Sequence, residues 1–435
     1  MSNKIQKKLD EIYTDLEYNV TRIYERHELM FIYDLAYHSI LQFEFMGQML
    51  TRGWVEVLVV GDTRCGKTKT AERLLQHYRA GEMGTGENTS IAGLIGGMQQ
   101  ISKQWSIIWG KFPRNDRKLI IIDEASNIRL EHISDFATIR SEGVARITKI
   151  QSEQTHARTR AIWISNPRPL LSNESGFAIR DYDYGVHTVT GLIGRPADVA
   201  RFDAATIVSN GEVSPDRIFQ SNRGKKPPHK YTSELSHALV LWAWSRRTDQ
   251  VIIPRETEEE IFHQSKRLAK IYHESIPLIK IEELPEKLAR LSASLAARLF
   301  SSNNDTDLLV LPDHCAYIAD FLDRTYSKNS MGYRAYSEKL FKSETIASPN
   351  QVLKLIQPYG NDFIQGMLSY SIIRQNIVED LTGLTRDQVR SFIGTLVRNR
   401  CLKPDQVWYK KTSPFIKLLK DIESGHVKVD EEVPF

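Results

Sequence analysis

The spacing of apolar and polar residues divides the chain into stretches with different periodicities. Residues 1 to about 50 carry Leu, Ile, Tyr and Phe at three- and four-residue spacing, with Lys and Glu between them, which predicts helices. From Val55 to about Val208, short apolar runs alternate with amphipathic stretches, a pattern typical of an α/β domain with a parallel sheet. Residues 233 to about 326 carry helical apolar stripes, which predicts an all-helical region.

The remaining stretches are less regular. The segment SNRGKKPPHK, residues 221–230, has the composition of a turn and linker and predicts a domain boundary. Residues 362 to 421 predict several short helices followed by the apolar-basic run QVWYKKTSPFIKLL, a series of elements that indicates a small winged helix. The tail GHVKVDEEVPF is expected to fray.

Composition narrows the class of protein. A length of 435 residues is enough for two to four domains with substantial cores. The composition, 41% hydrophobic and 26% charged, is that of an ordinary soluble protein. The net charge of +4 does not by itself indicate a polyanionic partner, so any nucleic-acid surface has to be local.

Cysteine usage and hydropathy indicate the compartment. The three cysteines, Cys65, Cys315 and Cys401, are far apart and lack CxxC spacing, which argues against a disulfide framework and a zinc site. The N-terminus has no apolar signal-peptide core, and no apolar run approaches the roughly 20 residues of a membrane span. We therefore expect a cytoplasmic protein with no membrane partner.

The run VEVLVVGDTRCGKT predicts a phosphate-binding loop. An apolar strand ends at Gly61, the segment from Gly61 to Thr68 fits GxxxxGK[ST], and the helical stripe TAERLLQHYRA follows. Lys67 is expected to contact the β- and γ-phosphates of ATP, and the Thr68 hydroxyl to bind Mg²⁺. The alternative is a chance match in a glycine-rich turn. The predicted ATP-binding residues of the loop are Gly61, Asp62, Thr63, Arg64, Cys65, Gly66, Lys67, Thr68 and Lys69.

Two later apolar runs end in polar residues. KLIIIDEAS predicts a core strand that ends at Asp123 and Glu124, and AIWISNPRP predicts one that ends at Ser165 and Asn166. Ligands of parallel sheets bind at this edge. Asp123 is expected to orient Mg²⁺ and Glu124 to polarise the attacking water, which favours hydrolysis over a small-molecule kinase. Taken alone, the first run is a strand with a helix cap and the second a turn.

In this order, the motifs resemble the AAA+ module of the minichromosome maintenance (MCM) helicase family. Four further stretches are similar to blocks of that family. They are TSIAGL before the helix-2 insert, ARITKIQSEQTHARTRAIWISNP at the pre-sensor-1 hairpin, DVARFDAATIV at the arginine finger, and LARLSASLAARL at the lid helix. The resemblance covers residues from about 40 to 325.

The resemblance implies an α/β P-loop AAA+ core, in which a parallel sheet has helices on both faces, followed by a helical lid and a C-terminal winged helix. The implied domains are an N-terminal helical segment (1–50), the core with its helix-2 insert and hairpin (51–225), the lid (231–328), the winged helix (360–422) and the tail (423–435). Only about 50 residues precede the core, so the family's N-terminal OB-fold tier is expected to be absent.

The resemblance also assigns roles to residues. Lys67, Asp123 and Glu124 would be catalytic, and Asn166 would be sensor 1. Arg201 would be the arginine finger that reaches the ATP of a neighbouring subunit, which implies a homo-oligomer, by analogy a hexamer. The alternative for Arg201 is a surface arginine paired with an aspartate, Asp198 or Asp203. Glu283 stands at the usual sensor-2 arginine, and Arg290 is expected to bind nucleotide in its place.

Candidate DNA contacts come from two places. Lys149 matches the hairpin tip, and it and Arg146 belong to a local excess of positive charge in residues 140–168 that suits phosphate contacts. A solvated surface or an intersubunit interface are the alternatives. The helix TRDQVRSFIGTLVRNR places Arg390 outside its apolar face, as in a recognition helix, although winged helices also bind proteins.

The leading hypothesis is a ring-forming, ATP-dependent DNA helicase or translocase acting on single-stranded or forked DNA during replication. It would be nucleoid-associated, with replication partner proteins, and encoded by a phage or other mobile element. The alternative is an AAA+ switch that loads or recruits another protein on DNA without unwinding.

Cys65 lies within the predicted phosphate-binding loop. The helix N-terminus and Lys67 are expected to lower the pKa of its thiol, unless Cys65 is only a small residue that fits.

Overall fold

The computed structural model describes residues 2–86, 90–101, 104–148, 152–168, 178–216, 219, 226–343, 345–405 and 408–426. The chain forms two compact units, Met1–Ala335 and Tyr336–Phe435. The linker-like segment 221–230 therefore does not separate compact units, and the α/β and helical regions belong to the same one. Among the described helices, none combines the length and apolarity that crossing a membrane requires.

Two α-helices, a short π-helix (Glu17–Thr21) between them and a β-hairpin precede the central sheet. They are α1 (Ser2–Leu16), α2 (His27–Tyr37), β1 (Phe43–Phe45) and β2 (Gln48–Leu50). The prediction of helix up to residue 50 is wrong for the last part of this stretch, since β1 and β2 pair antiparallel. Met46 and Gly47 both adopt positive φ, 53° and 69°, which fits the two-residue turn of a hairpin.

The α/β region contains, in chain order, β3 (Glu56–Gly61), α3 (Lys67–Tyr78), β4 (Glu82–Thr85), α4 (Ile91–Leu94), β5 (Gly96–Ile101), β6 (Gln104–Trp109), α5 (Lys111–Arg114), β7 (Leu119–Asp123), α6 (Leu130–Ile133), α7 (Ala137–Glu142), β8 (Val144–Thr148), β9 (Ser152–His156), β10 (Arg160–Ser165), α8 (His187–Ile193), α9 (Pro196–Ala200) and β11 (Ala204–Val208). Five of these strands form a parallel sheet in the order β11-β3-β10-β7-β4. Every residue of β3, β7, β10 and β11 is buried, which explains the continuous apolar runs in the sequence. The carboxyl ends of β3, β10 and β7 lie side by side.

Within the described part of the α/β region, two antiparallel hairpins lie outside this sheet. Strands β8 and β9 form the hairpin expected before β10, and its tip, residues 149–151, lies outside the described residues. Strands β5 and β6 form a second hairpin at the place of the expected helix-2 insert, with Trp105 and Ile108 exposed. A Cβ atom on Gly96 would lie 2.9 Å from Ile147 Cδ1, so the base of the β5–β6 hairpin contacts β8 close to the tip of the β8–β9 hairpin.

The helical region consists of α10 (Ser233–Trp244), α11 (Arg255–Ile271), α12 (Leu284–Arg298) and α13 (Pro312–Ser327). The prediction of helices here is confirmed, apart from two two-residue strands, β12 (Val251–Ile252) and β13 (Leu308–Leu309), that pair in parallel. Helix α12 is buried along nearly its whole length. Its small residues, in the run SASLAA, allow the neighbouring helices to approach closely.

A buried polar cluster fastens the N-terminal helices to the rest of this unit. Asp34 on α2 is fully buried and accepts hydrogen bonds from Tyr13 Oη on α1 at 3.0 Å and Tyr78 Oη on α3 at 2.6 Å. Arg298 Nε, at the end of α12, donates to the same carboxylate at 2.6 Å. Four helices therefore meet at one satisfied carboxylate, in a low-dielectric environment that strengthens each of these bonds.

The second unit packs short helices and one hairpin around a core of its own. Helix α14 (Tyr333–Ser343) spans the boundary between the units, and α15 (Pro349–Ile356), α16 (Gly360–Ser369), α17 (Gln375–Thr382), α18 (Arg386–Arg398), β14 (Leu402–Asp405), β15 (Trp408–Lys411) and α19 (Ser413–Glu423) follow. The short helices expected from the sequence are confirmed. Strands β14 and β15 pair antiparallel, and Ile373 bridges to Tyr409. Most of the tail, residues 427–435, lies outside the described residues.

Buried histidines predict acid sensitivity. Burial lowers the pKa of His38, His77 and His314 from 6.5 to about 4. Between pH 6.5 and 4, the unfolded chain binds protons at these imidazoles whereas the folded chain does not, so the free energy of unfolding falls as the pH drops. We expect the thermal unfolding midpoint to decrease through this window.

One substitution isolates the contribution of a single imidazole. His314 Nδ1 accepts the backbone N–H of Leu311 at 3.0 Å, a bond that a glutamine at the same helix position can also make. In His314→Gln the midpoint should therefore depend less steeply on pH than in the wild type, while His263→Gln, at an exposed position of α11, should change this dependence little. Identical pH profiles for wild type and His314→Gln would contradict this account.

Candidate nucleotide site

The loop between β3 and α3 is wound tightly enough to require both motif glycines. Gly66 has a φ of 86°, and a Cβ atom there would lie 2.8 Å from Ile23 Cγ2. A Cβ atom on Gly61 would lie 2.3 Å from the carbonyl oxygen of Val208. Helix α3 begins at Lys67, directly after the loop, so its N-terminus faces the loop as anion binding requires.

The Lys67 ammonium lies inside this site and is 5% exposed. Its Nζ donates to the carbonyl oxygens of Gly61 at 2.8 Å and Asp62 at 2.6 Å, and to Asn166 Oδ1 at 3.1 Å. Burial lowers the pKa of Lys67 to about 8, although Cys65 and Asp123 act in the opposite direction. A positively charged ammonium near neutral pH, buried among neutral oxygens, is an environment in which a phosphate group would compensate the charge.

The two other predicted motifs end at the same edge of the sheet. Asp123 is the last residue of β7 and is buried, and its Oδ1 accepts the backbone N–H of Glu124 at 2.9 Å. Ser165 ends β10, and its Oγ accepts the backbone N–H of Ser126 at 3.0 Å, which links the ends of the two strands. The structure thus joins Lys67 to Asn166 directly and places Asp123 and Glu124 at the adjacent strand end.

The donor set at this edge fits a nucleotide with Mg²⁺. Thr68, half-buried in the first turn of α3, and Asp123 offer a hydroxyl and a carboxylate, the oxygen ligands that Mg²⁺ prefers. Lys67 would supply the positive charge for the phosphates. Glu124 is half-buried and adopts the left-handed region with φ of 53°, at the turn that leaves β7.

Other residues of the loop hold it in place. Asp62 accepts the backbone N–H groups of Ile179 and Asn210, both at 2.8 Å, so its carboxylate fixes the loop against later segments. Lys69 is exposed and pairs with Glu72 at 2.8 Å. Thr63 and Arg64 are exposed as well.

The expectation that the pKa of the Cys65 thiol is lowered is wrong. Its Sγ lies 3.0 Å from Asn210 Oδ1, to which it donates, and the side chain is 8% exposed. Burial raises the pKa of the thiol, and the opposing effects of Lys67 and Arg26 are smaller. The structural alternative, a small residue that fits the loop, accounts for Cys65.

The segment between α1 and α2 contributes to the site, and the sequence analysis missed it. Arg22, Ile23 and Tyr24 line a cavity of about 320 Å³ together with loop residues Arg64, Cys65 and Gly66. Apolar and aromatic side chains beside a phosphate loop provide a surface suited to a nucleobase. The segment TRIYER has neither a phosphate-loop pattern nor a helical period, so its aromatic and arginine content was the only available signal.

Arg201 and Arg290 lie at the opposite edge of the sheet. Asp203, just before β11, donates its backbone N–H to the Glu56 carbonyl at the start of β3 at 2.9 Å, and it pairs with Arg290 at 2.7 Å. Arg201 Nη1 donates to Asp198 Oδ1 at 2.8 Å, so the pairing considered as the alternative is present in this chain. Both arginines line a cleft of about 750 Å³. The structure does not bring either to the phosphate loop of the same chain.

Most of the basic side chains in residues 140–168 bind partners within the first unit. Arg140 is 2% exposed and binds both carboxylate oxygens of Glu56, at 2.8 and 2.9 Å. Arg160 is fully buried and donates to the carbonyl oxygens of Ser39 and Arg117. The local excess of arginine in the sequence is therefore largely structural.

Two more arginines of residues 140–168 also have partners inside the unit. Arg158 pairs with Asp116, and Arg168 donates to backbone carbonyl oxygens.

The three candidate DNA contacts have different surroundings. Arg146 on β8 is exposed and pairs with Glu142 at 2.8 Å. Lys149 lies outside the described residues. In the second unit, Arg390 is exposed on α18 and lies 3.5 Å from Asp387.

Comparison with known proteins gives no family. The sequence matches no protein-family model, and no curated protein matches it significantly. The geometry of the site and the sequence motifs are therefore the basis for a functional assignment.

Proposed function

We propose that this chain binds ATP with Mg²⁺ at the carboxyl edge of its parallel sheet and hydrolyses it. The contact between Lys67 Nζ and Asn166 Oδ1, at 3.1 Å, is the observation that carries this proposal. Strand β10 lies between the strand of the phosphate loop and the strand of the carboxylates, so three motifs that are far apart in sequence meet at one place. Such an arrangement supports phosphoryl transfer, in which catalysis rests on positioning and on electrostatic stabilisation.

Each residue has a chemical role in this proposal. Lys67 binds the β- and γ-phosphates. Thr68 and Asp123 would hold Mg²⁺, which supplies neutralisation of phosphate charge. Glu124 polarises the attacking water, and Asn166 holds that water or the γ-phosphate in position.

The proposal extends to a ring of identical chains. Arg201 lies at the sheet edge opposite its own phosphate loop and lines a cleft large enough to receive part of another molecule. An arginine so placed can act only on nucleotide held by a second copy. The MCM-like order of motifs then favours a hexamer of the AAA+ type, in which hydrolysis occurs between subunits.

The ring would act as a helicase or translocase on single-stranded or forked DNA during replication. The hairpin β8–β9, with exposed Arg146, is the element proposed to contact the DNA backbone. In the second unit, α17 and α18 followed by the hairpin β14–β15 support the proposed winged helix, with Arg390 on its exposed face.

One observation favours the alternative, an ATP-dependent switch that recruits another protein without unwinding. Internal partners bind Arg140, Arg158, Arg160 and Arg168, which leaves less positive surface near the hairpin than the sequence indicates. The two functions differ in their response to DNA, so one experiment separates them.

The decisive experiment is strand separation of a labelled forked duplex with ATP, with turnover measured in the same reactions. Glu124→Gln should lower turnover by about 10²–10⁴-fold, the usual contribution of a general base, and abolish strand separation while nucleotide still binds. Glu131→Gln is the matched control, because that side chain is 67% exposed and lies on the same segment.

Each other outcome has a defined meaning. Turnover that DNA stimulates without strand separation would favour a translocase on duplex DNA. Turnover that is indifferent to DNA would favour the switch. A wild-type chain that neither binds nor hydrolyses ATP would contradict the proposal as a whole.

A further inference from the structure

The carboxylate of Asp203 joins the segment that carries Arg201 to two other parts of the first unit. Its Oδ2 accepts hydrogen bonds from Arg52 Nη2 and from the backbone N–H of Glu56, both at 2.8 Å. Its Oδ1 accepts one from Arg290 Nε at 2.7 Å. Asp203 and Arg290 are 1% and 3% exposed, so solvent does not compete for this ion pair.

The same cluster also holds the backbone of Arg201. Arg52 Nη2 donates to the Arg201 carbonyl oxygen at 2.8 Å, in addition to its bond with Asp203. The Arg201 side chain is held separately, since Nη1 donates to the Ala197 carbonyl oxygen at 2.9 Å and to Asp198 Oδ1 at 2.8 Å. The direction in which the Arg201 guanidinium enters the cleft therefore depends on these two sets of contacts.

The ion pair persists over the working range of pH. Burial alone would raise the pKa of Asp203, but the neighbouring guanidinium groups of Arg290 and Arg52 outweigh burial and hold this pKa below its ordinary value. Asp203 is thus ionised at neutral pH and keeps both guanidinium groups in place. Removal of Arg290 would leave Arg52 as the remaining ion-pair partner of this buried carboxylate.

We propose that Arg290 is a positioning residue for Arg201, acting through Asp203, and does not itself contact nucleotide. This inference rests on the proposed function, in which Arg201 acts on ATP held by another copy. Helix α12 carries Arg290, so a shift of that helix moves residue 203 and, with it, residue 201. A displacement of about 1 Å in a group that stabilises the transition state can cost on the order of 100-fold in rate.

The contact that Arg290 makes allows the two roles to be separated. It binds Asp203 through Nε alone, and a lysine ammonium can make a single hydrogen bond of this kind. A lysine cannot reproduce the planar fork with which an arginine binds phosphate. Arg290→Lys should therefore preserve a positioning role, and Arg290→Met should remove it.

The test measures kcat and KM for ATP in the presence of forked DNA. We expect Arg290→Met to lower kcat on the order of 100-fold with KM unchanged, and Arg290→Lys to restore most of the lost turnover. Glu286→Gln removes the other partner of Arg290, a carboxylate 3.4 Å from Nη1, and should leave both constants unchanged. A raised KM with normal kcat, or equal loss in the lysine and methionine variants, would assign Arg290 to the nucleotide and overturn the inference.

Mixing experiments distinguish a misplaced Arg201 from a misfolded chain. When Arg290→Met chains are mixed with Lys67→Ala chains, one kind of interface combines an intact phosphate loop with a correctly placed Arg201. Turnover should reappear in the mixture, and its absence would count against the inference. Normal turnover in Arg290→Met would refute this inference alone, whereas a wild-type chain without ATP turnover would refute the proposed function.

Discussion

Arg201→Ala is expected to lower ATP turnover by about 10³-fold or more while each chain keeps its affinity for nucleotide. An arginine supplied by a neighbouring subunit to the transferring phosphoryl group is worth about 10³–10⁵ in rate. Affinity should be preserved because Arg201 lies at the sheet edge opposite the phosphate loop of its own chain and is held there by Asp198. The two effects are measured separately, by steady-state turnover and by titration of a fluorescent nucleotide.

The dependence of ATP turnover on protein concentration tests independently whether Arg201 acts on nucleotide held by a second copy. If the active site is completed by a second copy, wild-type turnover per chain should rise with protein concentration and then reach a plateau. Arg195→Ala is the matched control, since this exposed arginine lies six residues earlier, at the start of α9. Turnover of Arg201→Ala within a few-fold of wild type would instead make Arg201 a surface residue paired with Asp198.

Asp34→Leu is expected to destabilise the first unit by about 3–5 kcal/mol, the usual cost of removing one partner from a buried ion pair. The substitution leaves the Arg298 guanidinium buried without its carboxylate and removes the acceptor of the Tyr13 and Tyr78 hydroxyls. The free energy of unfolding in urea measures the loss. Asp10→Asn, at an exposed position of α1, should cost little.

A double substitution tests the reason for that loss. Arg298→Met alone should cost a similar amount, because it leaves the Asp34 carboxylate unpaired. Asp34→Leu with Arg298→Met should cost less than the sum of the two single changes, since no isolated charge remains. Additive losses would show that the two residues stabilise the fold independently.

The parts of the fold that could be predicted are those in which local pattern and burial agree. Strands β3, β7 and β10 are buried on both faces, so each contains an unbroken apolar run in the sequence, and β7 and β10 end in the polar residues Asp123 and Ser165. Because parallel strands place their carboxyl ends at one edge, the joint location of Lys67, Asp123 and Asn166 followed from sequence alone.

The partners of individual side chains could not be predicted in this way, because they depend on contacts between residues that are distant in sequence. Composition does not distinguish an arginine on the surface from one such as Arg140, whose partner Glu56 lies 84 positions away. The contact of Ile23 with Gly66 also joins segments that share no motif. The hairpin at 43–50 was missed for a local reason, since its strands have three residues each and are too short to show a period of two.

The buried cluster around Asp34 also determines how much of the chain is needed for an intact first unit. A boundary drawn from motifs alone would separate residues 1–50 from the sheet, because all recognisable nucleotide chemistry begins at Val55. Such a cut would remove Asp34 and Tyr13, expose the apolar face that α2 covers, and leave Arg298 with no counter-charge. Helices α1 and α2 are thus an integral part of the first unit, and an exchange of modules with its boundary at residue 51 would not be tolerated.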